Sequence, residues 1–363
     1  MLISNKSKEI IDSCRFCWMC RHICPIGNAT GQERNTARAR ALSLSLVERG
    51  AAKLEGSIVD NVYECALCGA CTKDCATGWD PVKFTKEVRL EAALNDQTPA
   101  YITKMLESVA ANKNPYGVKE IASDLAAEIK KHADKKDTVL ILGADARYVG
   151  KDSAIAAMKV LDKAGVEYTV LADEPDTGYV LDTLHGAASE TKEVMEKFAK
   201  EVSGFKTIIT VDPADAKTLL REYKEWNIDL KAEVITFTAL CAKLLADGKI
   251  SLKSAPKKYS VQDSFFLARD LEEDNTRGIV EKIGDICDML LVKKETVWAG
   301  SILLREYIPN VIDKVASRRL DDAKRVGGEC VVFECVGEYE AAKKIDGGID
   351  IISIHELIAD NLK

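Results

Sequence analysis

Most of the usual signposts to function are missing from this chain. Positive charge is not in excess: 51 Lys and Arg stand against 58 Asp and Glu, a net charge of −7. The basic stripe that a nucleic-acid partner needs is therefore not expected. No apolar run reaches the roughly 18 residues that suggest a membrane-spanning helix. The opening Met1-Leu2-Ile3-Ser4-Asn5-Lys6 has no apolar stretch of the kind found in a signal peptide, so the cytoplasm is the expected compartment. There is no G-x-G-x-x-G fingerprint around Leu142-Gly143-Ala144-Asp145, and Gly150-Lys151-Asp152-Ser153 lacks the first glycine of a P-loop. Histidine is scarce; His22, His132, His185 and His355 are scattered, and none belongs to a recognisable triad or metal motif. No catalytic residue is expected on these grounds. Nothing in the bulk composition, 47% hydrophobic and 30% charged, departs from an ordinary globular chain, and 363 residues allow two or three domains.

Cysteine is what the chain has in quantity. Of its 12 cysteines, eight fall between Cys14 and Cys75. The first run is Cys14-x2-Cys17-x2-Cys20-x3-Cys24-Pro25, and the second is Cys65-x2-Cys68-x2-Cys71-x3-Cys75. This is the bacterial ferredoxin spacing, written twice. An iron–sulfur cubane takes four thiolates at the corners of a tetrahedron. A tight loop with a ligand at every third residue reaches three corners, and the fourth comes from elsewhere. In two-cluster proteins the last cysteine of each run crosses to the other cluster. The expected cofactors are therefore two [4Fe–4S] clusters. Cluster I is assigned to Cys14, Cys17, Cys20 and Cys75, and cluster II to Cys65, Cys68, Cys71 and Cys24. Zinc uses separated C-x2-C pairs rather than four cysteines in one run. A disulfide framework needs an oxidising compartment. The second run has Ala76 where the first has Pro25. Trp18 and Trp79 flank the runs, either as shields for the clusters or as ordinary core.

Residues 36–50 read as a helix, with Ala39, Leu42 and Leu46 on one face. The spacer between the runs thus resembles the helical ferredoxin domain of succinate dehydrogenases, of the heterodisulfide reductase small subunit and of the glycolate oxidase iron–sulfur subunit. Arg34, Arg38 and Arg40 are read either as hydrogen-bond donors near clusters or partner, or as a solvated basic face. A helical, charged stretch follows to about residue 133, broken at Asn114-Pro115-Tyr116-Gly117, a turn those relatives share. Apolar strands are then expected at 139–142, 168–171, 206–211, 234–237, 259–262, 331–333 and 351–354, alternating with helices such as 152–163 and 302–320, the latter interrupted at Pro309. The expected fold class is α plus α/β: a helical two-cluster ferredoxin domain (1–100), a helical linker (101–137), and two layered α/β modules with a mostly parallel sheet (138–245 and 246–363).

The relatives carry two copies of a module with a lone cysteine, then CCG, then C-P-x-C. That frame lies on this chain twice. Ala144 takes the place of the lone cysteine; after 31 intervening residues comes Asp176-Thr177-Gly178, and after a further 33, Asp212-Pro213-Ala214-Asp215. In the second copy Ser264, Trp298-Ala299-Gly300 and Cys335-Val336-Gly337-Glu338 follow at intervals of 33 and 34 residues. Both glycines remain, and one cysteine. Alanine, threonine and tryptophan cannot replace thiolates as soft iron ligands, so no cluster and no zinc is expected there. Asp212 and Asp215 are read either as oxygen ligands for a hard cation or, more simply, Asp212 as the cap of a helix that Pro213 starts. Cys241, Cys287, Cys330 and Cys335 are read as buried small hydrophobes. The resemblance then implies a non-catalytic electron-transfer subunit of a larger oxidoreductase. Its implied partners are an FAD-linked subunit of the 2-hydroxy acid oxidase type and a further carrier, such as a ferredoxin or an electron-transfer flavoprotein. The alternatives are an active heterodisulfide or quinone reductase subunit, and an adaptor in an electron-bifurcating or hydrogenase-type complex.

Overall fold

The structure, a computed structural model, describes residues 4–14, 17–186 and 188–363. Up to Lys131 the described chain is helical. Beyond it, eight strands form two four-stranded sheets: β1 (Thr138–Ile141), β2 (Thr169–Val170), β3 (Thr207–Thr210) and β4 (Glu233–Thr236) in the first, and β5 (Lys258–Gln262), β6 (Asp285–Ile286), β7 (Cys330–Phe333) and β8 (Asp350–Ser353) in the second. The orders are β2-β1-β3-β4 and β6-β5-β7-β8, with every pairing parallel. β1 and β3 are buried along most of their length, and β7 throughout, which is why their sequences read as continuous apolar runs. Seven of these strands lie where apolar runs are expected. β6 is the exception; Asp285 is exposed and Ile286 only half-covered, which leaves no run to read.

Helices from both halves interleave between the sheets. Helix Lys151–Lys163 packs on helix Ile354–Asp360, and one apolar cluster joins Leu140, Ile209 and Phe237 to Val261, Val332 and Ile354. A second cluster carries the helical unit onto the sheets, joining Ile26, Tyr63 and Cys68 to Tyr179, Phe265, Trp298 and Cys335. The helix at 302–320 is two pieces, Ile302–Arg305 and Pro309–Arg325, with Pro309 in the first turn of the second, where its missing N–H is harmless. Asp212 does cap helix Pro213–Lys217, accepting the Ala214 amide at 2.8 Å.

Helix Ala37–Glu48 forms as expected, capped by the Thr36 hydroxyl, but its buried face differs from the expected one. Ala37, Arg40, Ala41 and Leu44 point inward, whereas Ala39 and Leu42 are half-covered and Leu46 is 51% exposed. Apolar residues on both faces make the periodicity ambiguous, and the arginine that reads as polar surface is drawn inside. The Asn114 side chain organises the expected turn by accepting from the Tyr116 and Val118 amides at 3.0 and 3.1 Å, and Gly117 takes φ +69°.

Arg89 locks the helical unit together. It is fully buried on helix Pro81–Leu94, and its Nη2 donates to the carbonyls of Val62, Tyr63 and Cys65 at 3.1, 3.3 and 2.7 Å. Its Nη1 donates to the Thr183 carbonyl across the junction with the first sheet. Arg89→Met leaves these acceptors buried without a donor, so urea denaturation should show a loss of roughly 3 kcal/mol. Arg89→Lys should recover part of it.

Candidate metal centre

The second cysteine run wraps a cavity. Leu67 and Gly69 adopt φ +54° and +68°, folding the loop tightly between Cys65 and Cys71. Cys24 enters from the first run as the cap of helix Pro25–Thr30, its sulfur accepting the Gly27 amide at 3.4 Å. Cys24, Cys65, Cys68 and Cys71 line one largely enclosed cavity with Pro25, Ile26 and Arg40. These are the four residues assigned to cluster II from the sequence. Burial pushes the Cys68 thiol up to about 12 and raises Cys24 and Cys71 as well, with neighbouring sulfurs adding to the effect. Iron reverses this preference, because a metal takes the thiolate and releases the proton.

Of the other four, Cys14, Cys20 and Cys75 border the apolar cluster built on Leu44, Val62, Trp79 and Phe84, while Cys17 is exposed. Cys20 is pushed up to about 11 by burial and by the crowding of Cys14, Cys24 and Cys17. Burial raises Cys75 too, but hydrogen bonds from the Thr77 hydroxyl and the Thr77 and Trp79 amides outweigh it and leave the thiol below its ordinary value. Trp79 is core; Trp18 is 45% exposed, with Arg38 and Arg21 over its ring at 4.5 and 5.1 Å. Among the described residues, no three Cys, His, Asp or Glu side chains converge as ligands of a single metal ion. A cubane asks for something else, since each of its four irons takes one thiolate.

The cavity at Cys24 fits such a group for a second reason. Arg40 is 3% exposed and lines the same space, and its Nη2 is buried without a partner. A buried, unpaired cation nitrogen calls for negative charge in the cavity.

The frame positions of the two α/β modules meet at the carboxyl ends of the sheets, and they are closed by direct contacts. The Thr177 hydroxyl donates to Asp215. A Cβ at Gly143 would collide with the Asp215 carboxylate, and one at Gly337 with that of Asp145. Asp212 accepts from the Val336 amide at 3.1 Å and from the Cys335 thiol at 3.7 Å, which binds the first module to the second. Glu338 accepts from the Ala299 amide at 3.1 Å and from Gln262 at 3.0 Å. The two glycines of the frame have backbone reasons to be there: Gly178 and Gly300 take φ +92° and +112°. Cys241, Cys330 and Cys335 are buried as expected, and Cys287 is only half-covered. The four histidines include one buried member, His355, whose Nε2 lies 3.1 Å from the Val211 carbonyl and which burial holds down at about 4. Sequence reasoning missed the buried acidic group of Asp145, Asp212, Asp215 and Glu338. The only signal for it was the run of acidic residues at frame positions.

Residues 10–79, which span both cysteine runs, match the family described as a 4Fe-4S dicluster domain. The chain is 27% identical over 357 residues to one subunit of the dihydromethanophenazine:CoB–CoM heterodisulfide reductase of Methanosarcina acetivorans, covering 90% of this chain and 86% of that one. The corresponding protein of Methanosarcina mazei is 26% identical over 183 residues, covering 45% and 44%. Among solved structures, a hypothetical protein from Helicobacter pylori superposes with a TM-score of 0.50 at 11% identity, over 99% of this chain and 73% of that one. That last likeness is one of fold. Among the described residues no helix is long and apolar enough to cross a membrane.

The buried acids make stability depend on pH. Burial and the charge of Asp212 push Asp145 well above the usual carboxylate range; burial raises Asp212 as well, against the pull of the Ala214 and Val336 amides, and pushes Glu338 to about 8. Acids raised in the folded state are bound neutral, so their contribution is fullest near pH 4 and is lost as pH rises towards 8. Asp145→Asn keeps an acceptor for the Tyr116 hydroxyl and removes the charge. Thermal unfolding should show it more stable than wild type at pH 8, by on the order of 2 to 4 kcal/mol, with the gain gone by pH 4. A pH-independent difference would refute the assignment.

Proposed function

We propose that the chain is the iron–sulfur, electron-relaying subunit of a heterodisulfide-reductase-type complex. It would hold two [4Fe–4S] clusters, one on Cys14, Cys17, Cys20 and Cys75 and the other on Cys65, Cys68, Cys71 and Cys24. The single observation that carries this reading is the cavity where Cys24 of the first run meets three cysteines of the second beside a guanidinium nitrogen without a partner. The match of residues 10–79 to a dicluster domain supports it. Bound clusters supply one-electron storage, tuned by hydrogen bonds and solvent exposure. The residues of the chain do the rest. Cys17 brings the first run to the surface, where a partner can approach. The loop from Cys65 to Cys71 sets the second run against the sheets: Arg269 donates to the Cys68 carbonyl, and Tyr307 to the Tyr63 carbonyl at 2.8 Å.

The division proposed is a helical cluster domain (1–100), a linker (101–137) and two degenerate CCG-type modules (138–245 and 246–363). The identical strand order of the two sheets supports a duplication. Since the frame positions are filled by Asp–Thr, Asp–Cys and Gly–Asp contacts, the modules serve as a scaffold for docking. The partner proposed is an FAD-dependent subunit, of the 2-hydroxy acid oxidase type, working with a further carrier in the cytoplasm. A second reading, an active reductase subunit, is favoured by the likeness to the Methanosarcina heterodisulfide reductase chain.

Iron content separates the two readings. Anaerobically prepared wild type should hold about eight irons per chain, and Cys65→Ser about half as many. Cys335→Ser should leave the iron content and the EPR spectrum unchanged. A clearly higher count, with the excess lost in Cys335→Ser, would favour the active reductase.

A further inference from the structure

Arg40 carries a fixed charge whose use is not explained by folding. It sits on helix Ala37–Glu48, and its Nε donates to the Asn61 carbonyl at 2.8 Å. Its Nη2 is buried and unpartnered. The acid beside the second run, Glu64, is already engaged by Arg34, Asn35 and Asn61. Among the described residues that line the cavity of Cys24, Cys65, Cys68 and Cys71, Arg40 is the only cation. Arg89 and Arg269 also approach this loop, donating to the Cys65 and Cys68 carbonyls, but neither lines the cavity.

We propose that Arg40 sets the reduction potential of the inner cluster by presenting its free Nη2–H and its charge to the cavity that it lines with Cys24, Cys65 and Cys71. The proposal rests on the reading that these cysteines and Cys68 hold a [4Fe–4S] cluster. Reduction by one electron adds one negative charge to the cluster and breaks no bond. Burial opposes that added charge, as it opposes any ion in a low-dielectric interior. A guanidinium held beside the sulfurs offsets this, and it never loses its proton in the working range of pH. Hydrogen bonds to cluster sulfurs and net local charge are established determinants of cluster potential. The outer set differs, because Cys17 is exposed and Cys14 and Cys75 are half-covered, so water screens them from Arg40. Arg40 is thus a positioning residue, acting through the sulfurs and touching no substrate.

The test is an EPR-monitored redox titration of the full chain, prepared without oxygen. In Arg40→Gln the reduction equilibrium of one cluster should fall at least tenfold, about 59 mV for a one-electron couple, while the other cluster keeps its midpoint. Arg40→Lys, which retains charge but loses the forked donor, should fall less. The cluster that moves should be the one missing in Cys65→Ser. Unchanged midpoints in a fully loaded Arg40→Gln overturn the inference and leave the two-cluster reading intact, whereas wild type without iron overturns the reading itself. If Arg40→Gln fails to load, the native chain decides. Labelled with 15N in the arginine guanidino groups, the reduced protein should show a nitrogen coupling in pulsed EPR that persists in Arg269→Gln. Its absence from wild type overturns the inference.

Discussion

Cys24 is the point on which the helical unit turns. It ends helix Met19–Ile23, opens helix Pro25–Thr30 and places its sulfur among those of Cys65, Cys68 and Cys71. A chain segment some forty residues away in sequence is thereby closed onto the first run, and a ligand on the four sulfurs would offset the ordering entropy of that closure. Around this point Arg40, Arg89 and Arg269 are drawn inward, which arginine tolerates only with acceptors or counter-charge at hand. All three find carbonyls, and Arg40 keeps its Nη2 without a partner where it lines the cavity.

The α/β half gathers carboxylates at the ends of its sheets. At the carboxyl ends of β1, β3, β5 and β7, where open parallel sheets present ligand sites, carboxylates bond to a threonine, a thiol and backbone amides. Contacts at Gly143 and Gly337 are too close to admit even a methyl group. The ends of the sheets are therefore packed, and what they gain is a junction between the two modules and with the helical unit. An ion-pair group reinforces that junction: Lys86 of helix Pro81–Leu94 lies 2.6 Å from Asp182 and 3.2 Å from Glu222.

Much of this is legible in the sequence, for physical reasons that differ by region. Regular cysteine spacing encodes a ligand geometry, so the meeting of Cys24 with Cys65, Cys68 and Cys71 can be read without a structure. Buried parallel strands are continuous apolar runs, and those are visible; β6, two residues long and half-exposed, is not. Asp212 and Pro213 announce a helix start by local chemistry alone. The inward face of helix Ala37–Glu48 is hidden because Arg40 turns inside to donate to the Asn61 carbonyl, a tertiary contact that hydrophobic period does not carry. The acidic group at the sheet ends is hidden because it assembles from residues far apart in sequence, each unremarkable alone.

Anomalous diffraction at the iron absorption edge, from crystals grown without oxygen, tests the account most directly. Two compact groups of iron should appear, one in the cavity of Cys24, Cys65, Cys68 and Cys71 and the other among Cys14, Cys17, Cys20 and Cys75. Iron at Asp212 and Cys335, or none beside Cys24, would contradict it.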